Sequence, residues 1–381
     1  MSSIFDYIKK YDVSFLEKSF TEIDNIIFSR FSYLKFDNIL SFNDKISIKN
    51  LYKKYTSMNI KTDYNTYNLF KVMATSKRFS SLIVGNYYSI IDDSLEKQFS
   101  AITIFLPGNL LYISFRGTDN TLIGIKEDFN MTYMINIPSQ FESVNYLEKV
   151  LSINSYFAIV GGHSKGGNLA MYSSIFCKKK YQERIIKIYN NDGPGFFNEI
   201  VTNPKYEKNL DKIITFVPET SIIGMLLNHK EEFIAVKSRK SLILQHDLFS
   251  WEIDDDKLIR VKSVNRKSKY IDDIMTSLLN ISIEERKKFF DIIYQILIST
   301  GVSSIDDLTK EKIKNVKIFI NSYKKLSNGE KEFFIKIWKK IVVVATNNIK
   351  TYLIVRKKKT PSWWINNFVD LLIFWLIYLF Y

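Results

Sequence analysis

"SYFAIVGGHSKGGNLAMYSS", residues 155–174, joins an apolar run to a small-residue helical pattern with almost no loop between them. Tyr156 to Val160 read as a buried strand, and the residues after Gly166 read as a helix. Between the two, Gly162-His163-Ser164-Lys165-Gly166 fits the pattern G-x-S-x-G. A serine at the tip of so sharp a turn has strained dihedrals. The residues two before and two after it nearly touch, and glycine is the residue that fits there. The helix opening at Lys165 aims its first N–H groups and its dipole at any charge that forms beside Ser164. This strand–turn–helix makes Ser164 a candidate nucleophile.

Outward from this turn the periods alternate. C-terminal to it, a helix over 165–180 precedes strands "IIKIYN" (185–190) and "KIITFV" (212–217). A helical stretch over 219–232 then leads to "FIAVKS" (233–238) and, after a loop, "KLIRVKS" (257–263). N-terminal to it, "SLIVGNYYSII" (81–91) is followed by the hairpin "FSAITIFL"-Pro107-Gly108-Asn109-"LLYISF" and a helix over 138–152. Short apolar strands alternating with helices predict an α/β fold, a central and mostly parallel sheet flanked by helices. Residues 1–80 read as a helical N-terminal part, with Thr21 capping "FTEIDNIIFSRFSYL". Residues 81–265 form the α/β core, 266–355 a helical Lys-rich extension and 356–381 a basic, then apolar, tail. In the extension Ser282 caps a helix, with Glu285 three residues on and Gly301 as its stop.

A serine nucleophile needs a base, and the chain has 3 histidines. His163 lies inside the turn, where such residues point into the scaffold. His229, in "LLNHKEE", reads as a surface residue on a charged helix. His246, in "LILQHDLFSW", follows the nucleophile in the order serine, acid, histidine and is the expected base. For the acid, "NNDGPGF" puts Asp192 at the carboxyl end of strand 185–190, where sites of open α/β sheets lie. Glu219, after the next strand, is the alternative acid; Asp211 and Asp247 fit less well.

Two blocks, "ISFRGTD" (113–119) and "GGHSKGGNLA" (161–170), carry a resemblance to a bacterial α/β-hydrolase family related to the class 3 lipases. It spans roughly residues 15–265 and implies an α/β-hydrolase fold and a serine hydrolase. By that resemblance the backbone N–H of Thr118, and its hydroxyl, would face the developing oxyanion. The N–H of Lys165 would be the second donor. Gly162 and Gly166 would support the turn, and Asp128 would brace the Arg116–Thr118 loop. Two departures stand out. Where class 3 lipases carry their acid, in Asp-x-Val-Pro, this chain reads Thr215-Phe216-Val217-Pro218; and Lys165 replaces the usual Leu. A cation there would favour anionic substrates or point outward.

Composition sets the frame. With 46% hydrophobic and 25% charged residues the chain is globular rather than disordered. Its single cysteine excludes an internal disulfide. From Gly301 onward 15 Lys/Arg face 6 Asp/Glu, so +9 of the formal +14 lies in the last 81 residues. No RNA-binding motif or zinc spacing accompanies that charge, so no nucleic-acid partner is expected. No signal peptide is recognisable, and a cytoplasmic location is expected. Phe368 to Tyr381 are 14 residues, apolar or aromatic except Asp370, behind four cations and Trp363-Trp364. That pattern suits an anchor at a membrane surface, or a helix packed on the core.

Two functions compete. The first is a lipase/esterase-type serine hydrolase acting on acyl esters, foremost those of lipids, with Ser164, His246 and Asp192 and no metal or organic cofactor. In it, residues 219–232 would help form an acyl pocket or lid. The second is an inactive or weakly active member of the fold serving as a membrane-associated scaffold or partner-binding module. The missing Asp favours the second; the turn, the Arg-Gly-Thr loop and the placement of His246 favour the first.

Overall fold

The computed structural model describes residues 2–58, 60–262, 280–302, 304 and 312–340. The chain divides into two compact units, Met1–Asp119 with Ile135–Val264, and Asn120–Met134 with Asn265–Tyr381. The tail 356–381 lies outside the described residues.

In the first unit an eight-stranded sheet has its strands in sequence order, β1 (Lys45–Ser47), β2 (Ile83–Asp92), β3 (Lys97–Leu106), β4 (Leu110–Phe115), β5 (Phe157–His163), β6 (Ile185–Asn191), β7 (Ile213–Pro218) and β8 (Phe233–Val236). β1 to β4 pair antiparallel and β4 to β8 parallel. The expected hairpin is β3–β4. Strand periodicity sorts the side chains: Leu111, Ile113, Phe115, Ala158 and Val160 join one core, Tyr112 and Ile159 the other. Both faces are covered, which is why these strands are apolar almost throughout.

Helices α1 (Ile4–Lys10), α2 (Glu22–Phe31), α3 (Ile48–Thr56) and α4 (Tyr64–Thr75) contribute to the core that includes Tyr112 and Ile159. Thr21 caps α2 through the N–H groups of Ile23 and Asp24. Asp24 also takes Arg78 in a fully buried bidentate pair, Nε–Oδ1 2.8 Å and Nη2–Oδ2 2.5 Å. Removing either partner would strand a buried charge, so the pair ties α2 to the segment before β2. Helices α6 (Pro138–Ser152) and α7 (Lys165–Phe176) pack on the opposite core.

The second unit is built around Leu122, Ile125 and Phe129 of α5 (Leu122–Asn130), with Phe289, Ile292, Ile293 and Ile296 of the helix Ile283–Ile298, and Phe334, Ile337 and Trp338. Within it the Lys126 ammonium lies 2.5 Å from Asp291. Ser282 caps the helix through Glu285 N–H at 3.2 Å, and Gly301 has φ +74°. The sequence pattern keeps 120–134 within the 81–265 core. The apolar face of α5 places it in this second unit instead.

Three elements differ from expectation. β1 lies in a region read as helical and pairs with β2. No α-helix forms over 219–232, only a 3-10 turn at Ile223–Met225. Backbone pairing overrides local periodicity there: Gly195 N–H donates to Leu226 O at 2.8 Å, and Phe196 and Asn228 exchange two bonds of 2.9 Å. Among the described residues of the run 257–263, the strand pairing is that of Lys257–Leu258 with Ile253–Asp254, with a bridge from Arg260 to Val236 on β8.

Candidate active site

The site assembles where β5 and β6 end. Ser164 follows β5 with φ 59° and ψ −133°, a left-handed conformation for a non-glycine residue. Its N–H donates to Asn191 O on β6 at 3.0 Å, and its carbonyl accepts from Gly167 N–H at 2.9 Å. A Cβ on Gly162 would collide with the Gly166 carbonyl, and one on Gly166 with that of Phe115, so strand, turn and helix close only with glycine at both places. The same proximity brings up the Arg116–Thr118 loop: a Cβ on Gly117 would sit 3.2 Å from Ser164 Cβ. Thr118, next in sequence, is half-buried.

Lys165 opens α7 with its side chain pointing inward and is 1% exposed. Its ammonium donates to the Gln98 carbonyl at 3.0 Å and to Gln98 Oε1 at 2.9 Å on β3. It therefore does not point outward. Asp128, expected to brace the loop, lies on α5 in the second unit.

Asp192 follows β6, fully buried, with φ 53°. Asn190 clamps the turn that holds this conformation, accepting Gly193 N–H at 2.8 Å and donating to Gly193 O at 3.1 Å. Asp192 Oδ2 accepts from His246 Nδ1 at 2.7 Å. His246 ends a 3-10 turn, Leu242–His246, and its side chain is 24% exposed. That turn is fastened by Trp251 Nε1–H to Gln245 O at 2.8 Å and by Thr220 N–H to Gln245 Oε1 at 2.9 Å.

His163 takes a bridging place that the sequence did not reveal. Its ring lies 4.3 Å from that of His246, centroid to centroid. Its Nε2 is 2.7 Å from the His246 carbonyl, which can only accept, so Nε2 carries the proton. Burial, then His246 and Arg30, hold its pKa well below the usual histidine range, so the ring is neutral and Nδ1 accepts from the Tyr33 hydroxyl at 2.8 Å. His163 thus braces the base from behind.

The other candidates take other places. Glu219 is a half-buried turn residue after β7; the carboxylate on His246 is that of Asp192. Asp211 is exposed, and Asp247 pairs with Lys240 at 2.7 Å and caps the next turn. His229 is neither helical nor on the surface. Its side chain is 5% exposed and pairs with buried Glu231 at 2.9 Å, because Glu231, with Tyr206 and Thr215 also on it, forms an interior polar cluster. The Glu231 carboxyl is lowered to about 2, its hydrogen bond from His229 leading the stabilising contacts against the cost of burial.

Among solved structures the fold is similar to lipase II from Rhizopus niveus, with 16% identity over 49% of this chain and 76% of that one and a TM-score of 0.33. It is similar to a mutant form of MDLA from Penicillium cyclopium at 13% identity, 64% and 87% coverage and TM-score 0.36. It is also similar to M37 lipase at 16%, 55% and 70%, and 0.36. A comparison with curated protein sequences finds no match. The α/β-hydrolase fold rests on the parallel strands β4 to β8 and the turn at Ser164. A protein-family model described as Mbeg1-like matches residues 73–295, more than half of the sequence, and the chain belongs to the Mbeg1-like family.

Proposed function

We propose that the protein is a serine hydrolase of the lipase/esterase type, cleaving acyl esters, foremost those of lipids, through an acyl-enzyme. The observation that carries the reading is the 2.7 Å contact between Asp192 Oδ2 and His246 Nδ1 at the sheet end that bears Ser164. In this reading Ser164 Oγ attacks the ester carbonyl carbon and its proton passes to His246 Nε2. The N–H groups of Thr118 and Lys165 stabilise the oxyanion. Collapse breaks the bond to the alcohol, which leaves with the proton from His246; water then repeats the sequence and frees the acid. Asp192 keeps Nδ1–H in place throughout, and neutral His163 adds no charge beside the imidazolium.

Fluorophosphonate labelling, which marks an activated serine whatever the substrate, tests this. Wild type is expected to label and to hydrolyse short p-nitrophenyl esters, and Ser164→Ala and His246→Ala to do neither while melting normally. Asp192→Asn is expected to lose at least about 100-fold, against about 10⁴ for the corresponding loss in serine proteases, and Glu219→Gln less than about tenfold. A wild type that does not label would sink the proposal; the reverse ranking would move the acid to Glu219. We further propose that the tail 356–381 draws the protein to anionic membrane surfaces, on the strength of its four cations, paired tryptophans and apolar end.

A further inference from the structure

The two oxygens of Asp192 have separate surroundings. Oδ2 faces His246, whereas Oδ1 accepts from the Ser221 hydroxyl and from Gly224 N–H at 3.1 Å. Ser221 is 1% exposed, and its hydroxyl oxygen accepts Gly224 N–H at 3.0 Å, so its own proton is turned onto the carboxylate. A Cβ on Gly224 would collide with Oδ1, so only glycine lets the backbone come this close. Next door, Thr220 donates to Gln245 Oε1, one residue before His246, at 2.9 Å from its N–H and 2.5 Å from its hydroxyl. One short turn after β7 thus grips the acid through residues 221 and 224 and the base through residue 220.

We infer that Ser221 is a positioning residue: it fixes the carboxylate plane of Asp192 so that Oδ2 is presented to His246 Nδ1. The inference rests on the hydrolase reading. The turn after β7 holds no acid on His246; it contributes the donors that orient an acid carried by β6. A buried carboxylate with two donors on one oxygen has a single favoured rotation about its terminal bond. Removing the charge-assisted bond frees that rotation.

The test uses the full chain with Ser221→Ala, which deletes the donor, Ser221→Cys, which keeps the volume with a poor donor, and Ser221→Thr, which restores the hydroxyl. Ala and Cys are expected to lower the fluorophosphonate labelling rate and kcat on p-nitrophenyl esters by about 10- to 100-fold, with KM within about twofold. Thr is expected to stay within about threefold of wild type. The downfield proton NMR signal of His246 Nδ1–H is expected to shift or broaden in Ala and Cys and to return in Thr. Wild-type rates and an unmoved signal in Ser221→Ala, or a lower melting temperature as its sole effect, overturn the inference. If wild type does not label, the hydrolase reading falls. The NMR comparison still decides Ser221: an unmoved signal refutes its grip on the pair, and a moved one supports it.

Discussion

Ser164 and Asp192 are both non-glycine residues in the left-handed region, with φ of 59° and 53°. Each such residue costs about 1–3 kcal/mol and persists only where its surroundings fix it. Here those surroundings are asparagines: Asn191 O holds the Ser164 N–H, and Asn190 closes the turn under Asp192. His163 gives the residue scale a measurable signature. Burial first, then His246 and Arg30, keep it neutral in the fold well below pH 6.5, whereas the unfolded chain takes up a proton there near its ordinary value. Below about pH 6.5 the unfolded state therefore binds more protons, and stability falls as pH drops by up to about 1.4 kcal/mol per unit. Urea melts of His163→Gln between pH 7 and 5 are expected to show a shallower loss than wild type. Equal slopes would mean that His163 titrates alike in both states.

At the scale of elements, the β5–α7 junction tolerates no added atom. Gly166→Ala sets a methyl against the Phe115 carbonyl and is expected to cost about 3 kcal/mol or to prevent folding, read as a lowered urea midpoint. Gly329→Ala, with open space around it, is expected to change stability by less than about 0.5 kcal/mol. This junction was legible in the sequence because its constraint is local: glycines at fixed offsets between a strand and a helix. The same holds for the Thr21 and Ser282 caps and for the β3–β4 hairpin. Asp192 and His246 could be nominated from chain order, but their 2.7 Å contact joins residues 54 apart. The grip of Ser221 on Asp192, Tyr33 on His163 and the burial of His229 left no periodic trace. The first two depend on partners that only the folded sheet brings near, and the His229–Glu231 pair is completed by Tyr206 and Thr215 from elsewhere in the chain. Residues 219–232 misled for the opposite reason: their helical spacing was real, but pairing with Gly195 and Phe196 claimed the backbone.

Among the described residues no helix is long and apolar enough to cross a membrane; the proposed membrane contact of the tail is tested at the scale of the molecule. Deleting residues 361–381 is expected to reduce co-sedimentation with anionic vesicles at low salt while fluorophosphonate labelling stays at the wild-type rate. Near such a surface Lys357, Lys358 and Lys359 contribute about 1 kcal/mol each, and the remainder comes from the deleted apolar stretch. Unchanged co-sedimentation would dispose of the anchor. The two-part make-up of the second unit also sets a timetable. Leu122, Ile125 and Phe129 share their core with Ile281 to Leu297 and Phe334 to Trp338. A ribosome adds roughly 5–20 residues per second, so this apolar trio emerges on the order of 10 s before its first core partners exist. The nascent chain must keep it from neighbours for that interval. Translation stalled before Ile281 would leave α5 bare, a substrate for a chaperone rather than part of a core.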